Sequence, residues 1–206
     1  MSLLLAVDTA TARASLAVGA PDGAVVERAI EGRRDLSRDI ERVAAELLRE
    51  AGAVPRDLTA VVVADGPGSF TGLRIGIAFA KGVVAVLGVP LLAAPSLMGA
   101  AFAAARGAGG VWVAEYDALR GEVYRASYRF GGGAVDAVAA PALASAGDGA
   151  PHAREAQASA AALIRLAGLV GGPAPVTDPA GWEPVYGRPA EAEARRLARR
   201  DAPGAG

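Results

Sequence analysis

One stretch limits what this chain can fold into more than any other. A β-branched run, Ala60-Val61-Val62-Val63-Ala64, passes through Asp65-Gly66-Pro67-Gly68-Ser69-Phe70 into a proline-free run from Thr71 to Leu87. The first run has the character of a buried strand and the second that of a helix, so a glycine turn joins them. Along the helix Gly72, Gly76 and Ala80 recur at four-residue spacing, leaving one face almost without side chains. Such a face suits close approach of another element, within the chain or between chains. The helix start, with Ser69 or Thr71 as cap, also suits an anion. The phosphate motifs nearest to this pattern are incomplete, because Gly66-x-Gly68-x-x-Thr71 lacks the third glycine of a dinucleotide fingerprint and no Gly-Lys-Ser/Thr follows. No acidic residue occurs between Asp65 and Glu115 to meet a ribose.

The other elements follow from periodicity. Strands are expected at Leu3 to Val7, Ala12 to Val18 and Ala24 to Ile30, the last two joined by Pro21-Asp22-Gly23. A helix capped by Ser37 is expected over Arg38 to Ala51, with Ile40, Val43, Ala44, Leu47 and Leu48 on one face and Gly52 as stop. The uncharged run from Gly82 to Ala105 has the length of a membrane span, but Pro90 and Pro95 interrupt it. It is expected to be a helix end, a strand near Val89 to Ala93 and a new helix opened by Pro95-Ser96, not a membrane segment. Three strands, helix, strand, helix, strand, helix is the ribonuclease-H-like order, the half-unit of actin-like ATPases. After Gly107 to Gly110 a second meander is expected, with strands at Val111 to Tyr116, Glu122 to Phe130 and a third ending near Ala140. A helix from about Glu155 to Val170 and a short Glu/Arg helix from Ala190 to Asp201 complete the reading. The expected architecture is therefore α/β: a two-lobed actin-like (ribonuclease-H-like, ASKHA) fold, with an N-terminal lobe at 1–106 and a shortened second lobe at 107–206.

Composition narrows the chemistry. The chain of 206 residues has a net charge of −1, so no global field draws it to nucleic acid or an anionic membrane. It contains no cysteine and one histidine, His152, which removes thiolate catalysis, zinc-thiolate sites and multi-histidine metal centres. The start Met1-Ser2-Leu3-Leu4-Leu5 has no basic region and its apolar run ends at Asp8, unlike a secretory signal. Asp8-Thr9-Ala10-Thr11 stands in a strand-turn-strand where actin-like ATPases place a phosphate hairpin. Asp8, Thr9, Thr11, Gly68 and Ser69 are thus the candidate phosphate residues, set against ordinary turn chemistry. Arg195, Arg196, Arg199 and Arg200 make one basic helix face, read as solvated beside Glu191 and Glu193. Lys81, the sole lysine, is expected to be a surface charge.

Gly66-Pro67-Gly68-Ser69-Phe70-Thr71-Gly72-Leu73-Arg74-Ile75-Gly76, preceded by Leu4-Leu5-Ala6-Val7-Asp8-Thr9-Ala10-Thr11, resembles the TsaB (YeaZ) family. Asp117-Ala118-Leu119-Arg120-Gly121-Glu122-Val123-Tyr124 and Glu183-Pro184-Val185-Tyr186-Gly187-Arg188 resemble two further signatures of it. The resemblance implies a cytoplasmic, non-catalytic partner of a paralogous subunit, TsaD, in making N6-threonylcarbamoyladenosine in tRNA. TsaE is the implied ATPase subunit, tRNA is met indirectly through the complex, and the chain pairs with itself when alone. No metal and no tightly held cofactor are implied, with ATP or ADP expected only at a subunit boundary. In the family the partner is met through the two N-lobe helices, which nominates Ile40, Val43, Leu47, Gly72, Leu73, Gly76, Ile77 and Ala80 here. The sequence departs from the family at Leu36, where a histidine is common, at Leu119, where the signature has arginine, and in its short second lobe. An actin-like ATPase or phosphotransferase using Asp8 is the rival reading; a metallopeptidase lacks its histidine pair.

Overall fold

The computed structural model describes residues 2–118, 121–145 and 157–187. Strands β1 (Leu3–Asp8), β2 (Arg13–Gly19) and β3 (Val25–Glu31) form an antiparallel meander in which Asp8 stands opposite Ser15. Gly23 N–H donates to Ala20 C=O and closes the turn between β2 and β3. The run at 58–64 is strand β4 (Leu58–Ala64), parallel to β1, and β5 (Leu91–Ala94) lies parallel to β4. The resulting order, β3-β2-β1-β4-β5, is the ribonuclease-H-like sheet expected from the element sequence.

Helix α1 spans Arg33–Glu50, five residues longer at its start than the Ser37 cap predicts. Gly32, at φ 81, occupies the N-cap, and Ser37 is an exposed residue inside the helix. Leu36 explains the earlier start, since it is buried at the base of the helix and extends the apolar face of Ile40, Val43 and Leu47 by one turn. Asp35 in the first turn complements the helix dipole and pairs with Arg38. Helix α2 (Phe70–Leu87) begins where the glycine turn predicts: the Ser69 hydroxyl accepts from Gly72 N–H, and Gly88 at φ 68 ends it. Helix α3 (Ser96–Ala105) follows β5 directly, so the uncharged run divides as its prolines demand. α2 is long and apolar enough to cross a membrane, but Leu73, Ile77, Ala80 and Val84 face the sheet of this fold.

The second sheet is a meander of β6 (Gly110–Asp117), β7 (Glu122–Gly131) and β8 (Ala134–Ser145), five residues longer at its end than expected. β6 and β7 pack on α3, where Phe102 meets Phe130 edge-on and the Tyr116 hydroxyl donates to Ser96 C=O. Beyond residue 157 the chain goes back to the first sheet. Helix α4 (Ala160–Leu166), shorter than the expected 155–170, packs on α3, β1 and β2. Its Leu163, Ile164 and Leu166 are completely buried, each contributing roughly 1.5–3 kcal/mol. A two-residue strand, β9 (Ala174–Pro175), then pairs antiparallel with β5 and gives the first sheet a sixth member. The 106/107 division therefore separates the two meanders, while α4 and β9 belong by contact to the first sheet. The expected helix at 190–201 and His152 lie outside the described residues.

Candidate functional site

Two turns meet at the carboxyl ends of the parallel strands: residues 8–11 after β1 and residues 65–70 after β4. Successive residues of an extended chain point to opposite sides, and here Asp8 points toward the start of α4 while Thr9 points toward α2. A Cβ at Gly72 would collide with the Thr9 carbonyl oxygen, and one at Gly76 would lie 2.9 Å from the Thr9 Cγ2. At Gly68 an added Cβ would meet the Ala10 carbonyl. The small-residue stripe is thus the seat on which α2 rests against the turn after β1.

The residues nominated for a partner interface lie on this inner face. Gly72, Leu73, Gly76, Ile77 and Ala80 are all buried within the chain, as are Ile40, Val43 and Leu47 of α1. Apolar periodicity marks the face a helix buries, and burial here is against the chain's own sheet. The surface α2 presents instead carries Ile75, Ala78, Phe79, Gly82, Val83 and Val86, with Val86 84% exposed and open space around Gly82.

The structure brings the five candidate phosphate residues together and spends most of their polar groups internally. Ser69 N–H donates to Ala10 C=O at 2.6 Å, the Ser69 hydroxyl caps α2, and the Thr11 hydroxyl donates to Arg13 C=O at 2.7 Å. The Thr9 hydroxyl is buried against Gly76 without a hydrogen-bond partner among the described residues. Asp8 is fully buried; its Oδ1 accepts from Ala10 N–H at 3.1 Å and its Oδ2 from Ser159 N–H at 3.2 Å. Burial pushes its carboxyl up to about 7, against the pull of those two amides. Glu27 completes the seal: its Oε1 accepts from the Ser15 hydroxyl, the Ser159 hydroxyl and Ala161 N–H, and Ser15 Oγ accepts from Ala160 N–H. Carboxylates of the first meander thus occupy the free amides at the start of α4. Most polar groups of Asp8, Thr11 and Ser69 thus serve an internal joint between the two turns and α4.

Three features have no signal in the local periodicity of the sequence, although Glu183 to Arg188 carries a family signature. The Glu27–Ser15–Ser159 joint links residues more than a hundred positions apart. A strap at 176–187 crosses the glycine turn: Val185 N–H donates to Asp65 C=O, Tyr186 lies 4.6 Å from Phe70, and Arg74 sits over Phe70 at 4.3 Å. Lys81, expected free at the surface, donates to Trp182 C=O at 2.6 Å and to Ala180 C=O at 3.3 Å, holding that strap on α2. Gly66, at φ 107, is required here twice over, because a Cβ would also strike the Val185 carbonyl. Among the described residues no group of three His, Asp or Glu side chains stands close enough to hold a metal ion.

Comparison with known proteins agrees with this architecture. Residues 25–168 match the family model described as TsaD, tRNA N6-adenosine threonylcarbamoyltransferase. The chain is 33% identical over 135 residues to the tRNA threonylcarbamoyladenosine biosynthesis protein TsaB of Bacillus subtilis, covering 66% of this chain and 58% of that one. It is 37% identical over 127 residues to TsaB of Escherichia coli, covering 61% and 54%. The chain thus spans a little over half the length of these curated relatives. The structure of YeaZ from Pseudomonas aeruginosa superposes with a TM-score of 0.62 at 30% identity, over 69% of this chain and 67% of that one. The actin-like topology, the glycine turn seated on the β1 hairpin and these relatives agree: the chain belongs to the TsaB (YeaZ) family.

Proposed function

We propose that this protein serves in tRNA threonylcarbamoyladenosine biosynthesis as a non-catalytic subunit that binds and supports the catalytic paralogue TsaD, with TsaE as the third member. The setting is the cytoplasm, and tRNA is reached through the complex. The observation that carries this reading is the outer face of α2, where Phe79, Val83 and Val86 present apolar surface beside an unobstructed Gly82. Phe79 and Val83 are half-buried on this side and Val86 stands 84% exposed, and such a partly covered apolar helix surface suits packing against a second helix. The same face would pair with its copy when the partner is absent. The sealed state of Asp8 supports a supporting role over the rival ATPase reading, because its carboxylate is committed to two backbone amides. On this reading any ATP or ADP binds at a subunit boundary and not on the Asp8 hairpin.

The test is threonylcarbamoyl transfer to tRNA by the catalytic paralogue, with and without this chain and with Val86→Asp or Gly82→Arg. Both substitutions fall on exposed positions and should leave the fold intact, with Gly82→Arg raising the melting temperature through its gain in helix propensity. Stimulation by the wild type, lost by both variants together with binding, is the expected outcome. Equal activity of the paralogue alone defeats the proposal.

A further inference from the structure

The two open sheets end in the edge strands β3, β9, β6 and β8, and an edge strand pairs with another chain unless something blunts it. β3 carries the exposed charges Glu27, Arg28 and Glu31. β9 is two residues long, and one of them is Pro175. β8 shifts register twice against β7, contains Pro141, and is bonded at its start to Val170. β6 has none of these devices. It pairs with β7 without a shift, and Glu115, its one charge before the terminal Asp117, accepts from Arg125 across the ladder.

The ladder also fixes which groups face the open edge. Ala118 N–H donates to Glu122 C=O, and hydrogen-bonded pairs alternate along two antiparallel strands. Tyr116, Ala114 and Trp112 therefore turn their backbone groups to β7, while Glu115, Val113 and Val111 turn theirs away. Those outward N–H and C=O groups have no partner among the described residues. The first sheet shows what position stands open: β1, the first strand of its meander, has β2 on one side and β4 on the other, whereas β6 has β7 alone. Val111 is 44% exposed at this edge.

The occupant that fits is a second β6. Val113 is the middle of the outward-facing run, so a two-fold axis through it sets Val113 opposite itself and Val111 opposite Glu115, with two hydrogen bonds in each pair. The same register sets Trp112 beside Ala114 and Tyr116 beside Gly110, a large side chain against a small one each time, and brings no like charges face to face. We propose that two copies of this chain join edge to edge through β6, antiparallel about Val113, making one continuous sheet of their second meanders. α2 packs on the first sheet and α1, so this pairing leaves its outer face free and does not depend on the proposed role in tRNA modification.

The chain has no cysteine, so single introduced thiols report the register. In the paired strands the Cα atoms at position 113 stand about 5.5 Å apart, within disulfide reach, while those at position 111 are offset along the strand by about 14 Å. Mild oxidation of the full chain should therefore link Val113→Cys into a covalent dimer about tenfold faster, or more, than Val111→Cys. Sedimentation of Val86→Asp, which disables pairing through α2, should still show a dimer whose fraction rises with concentration. Adding Val113→Lys, which opposes two like charges across the axis on the half-buried outer side of β6, should leave monomer with an unchanged circular dichroism spectrum. Equal oxidation of the two thiols, a Val86→Asp chain that is monomeric at every concentration, or a dimer that persists with Val113→Lys overturns the proposal, whatever becomes of the α2 reading.

Discussion

Asp8 is a buried carboxylate whose partners among the described residues are two backbone amides and whose neighbour Glu27 adds repulsion. Its folded carboxyl is raised from 3.8 to about 7, so across that interval the native chain holds a proton that the unfolded chain has released. Stability linked to Asp8 is therefore fully present below pH 3.8 and is lost as pH rises through about 7. At about 1.4 kcal/mol per pH unit the whole interval is worth at most about 4 kcal/mol. Asp65, raised to about 6, acts in the same direction over a narrower window. Urea unfolding between pH 5 and pH 8 should show stability falling as pH rises. Asp8→Asn should retain only the shallower slope that Asp65 supplies. A wild-type slope that survives in Asp8→Asn would place the titrating group elsewhere.

On α2 the same residue type has opposite meanings on opposite faces. Gly76→Ala gains about 1 kcal/mol of helix propensity, but its new Cβ overlaps the Thr9 side chain at a turn held by Ser69 and Ala10. Overpacking there costs about 1–3 kcal/mol, so the denaturation midpoint should fall. Gly82→Ala meets open space and should raise the midpoint, by close to the full propensity gain. Equal shifts in the two variants would contradict the orientation of α2. This contrast also shows how far the elements were legible beforehand. The Ser69 cap and the breaks at Pro90 and Pro95 follow from local rules, because caps and prolines act within a few residues, whereas the sheet order followed by analogy from the succession of elements. The stripe at Gly72, Gly76 and Ala80 announced a close contact without naming what it touches, since Thr9 is more than sixty positions away. For α1, Ser37 satisfied the capping rule, yet burial of Leu36 favoured the earlier start at Gly32. The strap at 176–187 has neither period, and its place is set by Tyr186 on Phe70 and by Lys81 on two carbonyls.

At the scale of the molecule, the question is whether two meanders on one chain behave as two units. The second sheet rests on α3 through Phe102, Phe130 and the buried Tyr116 hydroxyl on Ser96 C=O. From beyond that sheet α4 turns back to lie on α3, β1 and β2, locked by Asp8, Ser15 and Glu27, and β9 pairs with β5. Unfolding the first sheet alone would expose the fully buried Leu163, Ile164 and Leu166 and strip α3 of its support. Separating the second sheet would leave Tyr116 and Phe130 bare, so neither unit gains independence at low cost. The two tryptophans report on the two parts: Trp112 stands on β6, and Trp182 on the strap over the first sheet. In single-tryptophan chains, made by Trp182→Phe and Trp112→Phe, each fluorescence transition in urea should coincide with the loss of helical circular dichroism measured on the same variant. Within either variant, a tryptophan transition displaced from the helical one would mean that the meanders unfold as separate lobes, and that the return of α4 and β9 to the first sheet does not couple them.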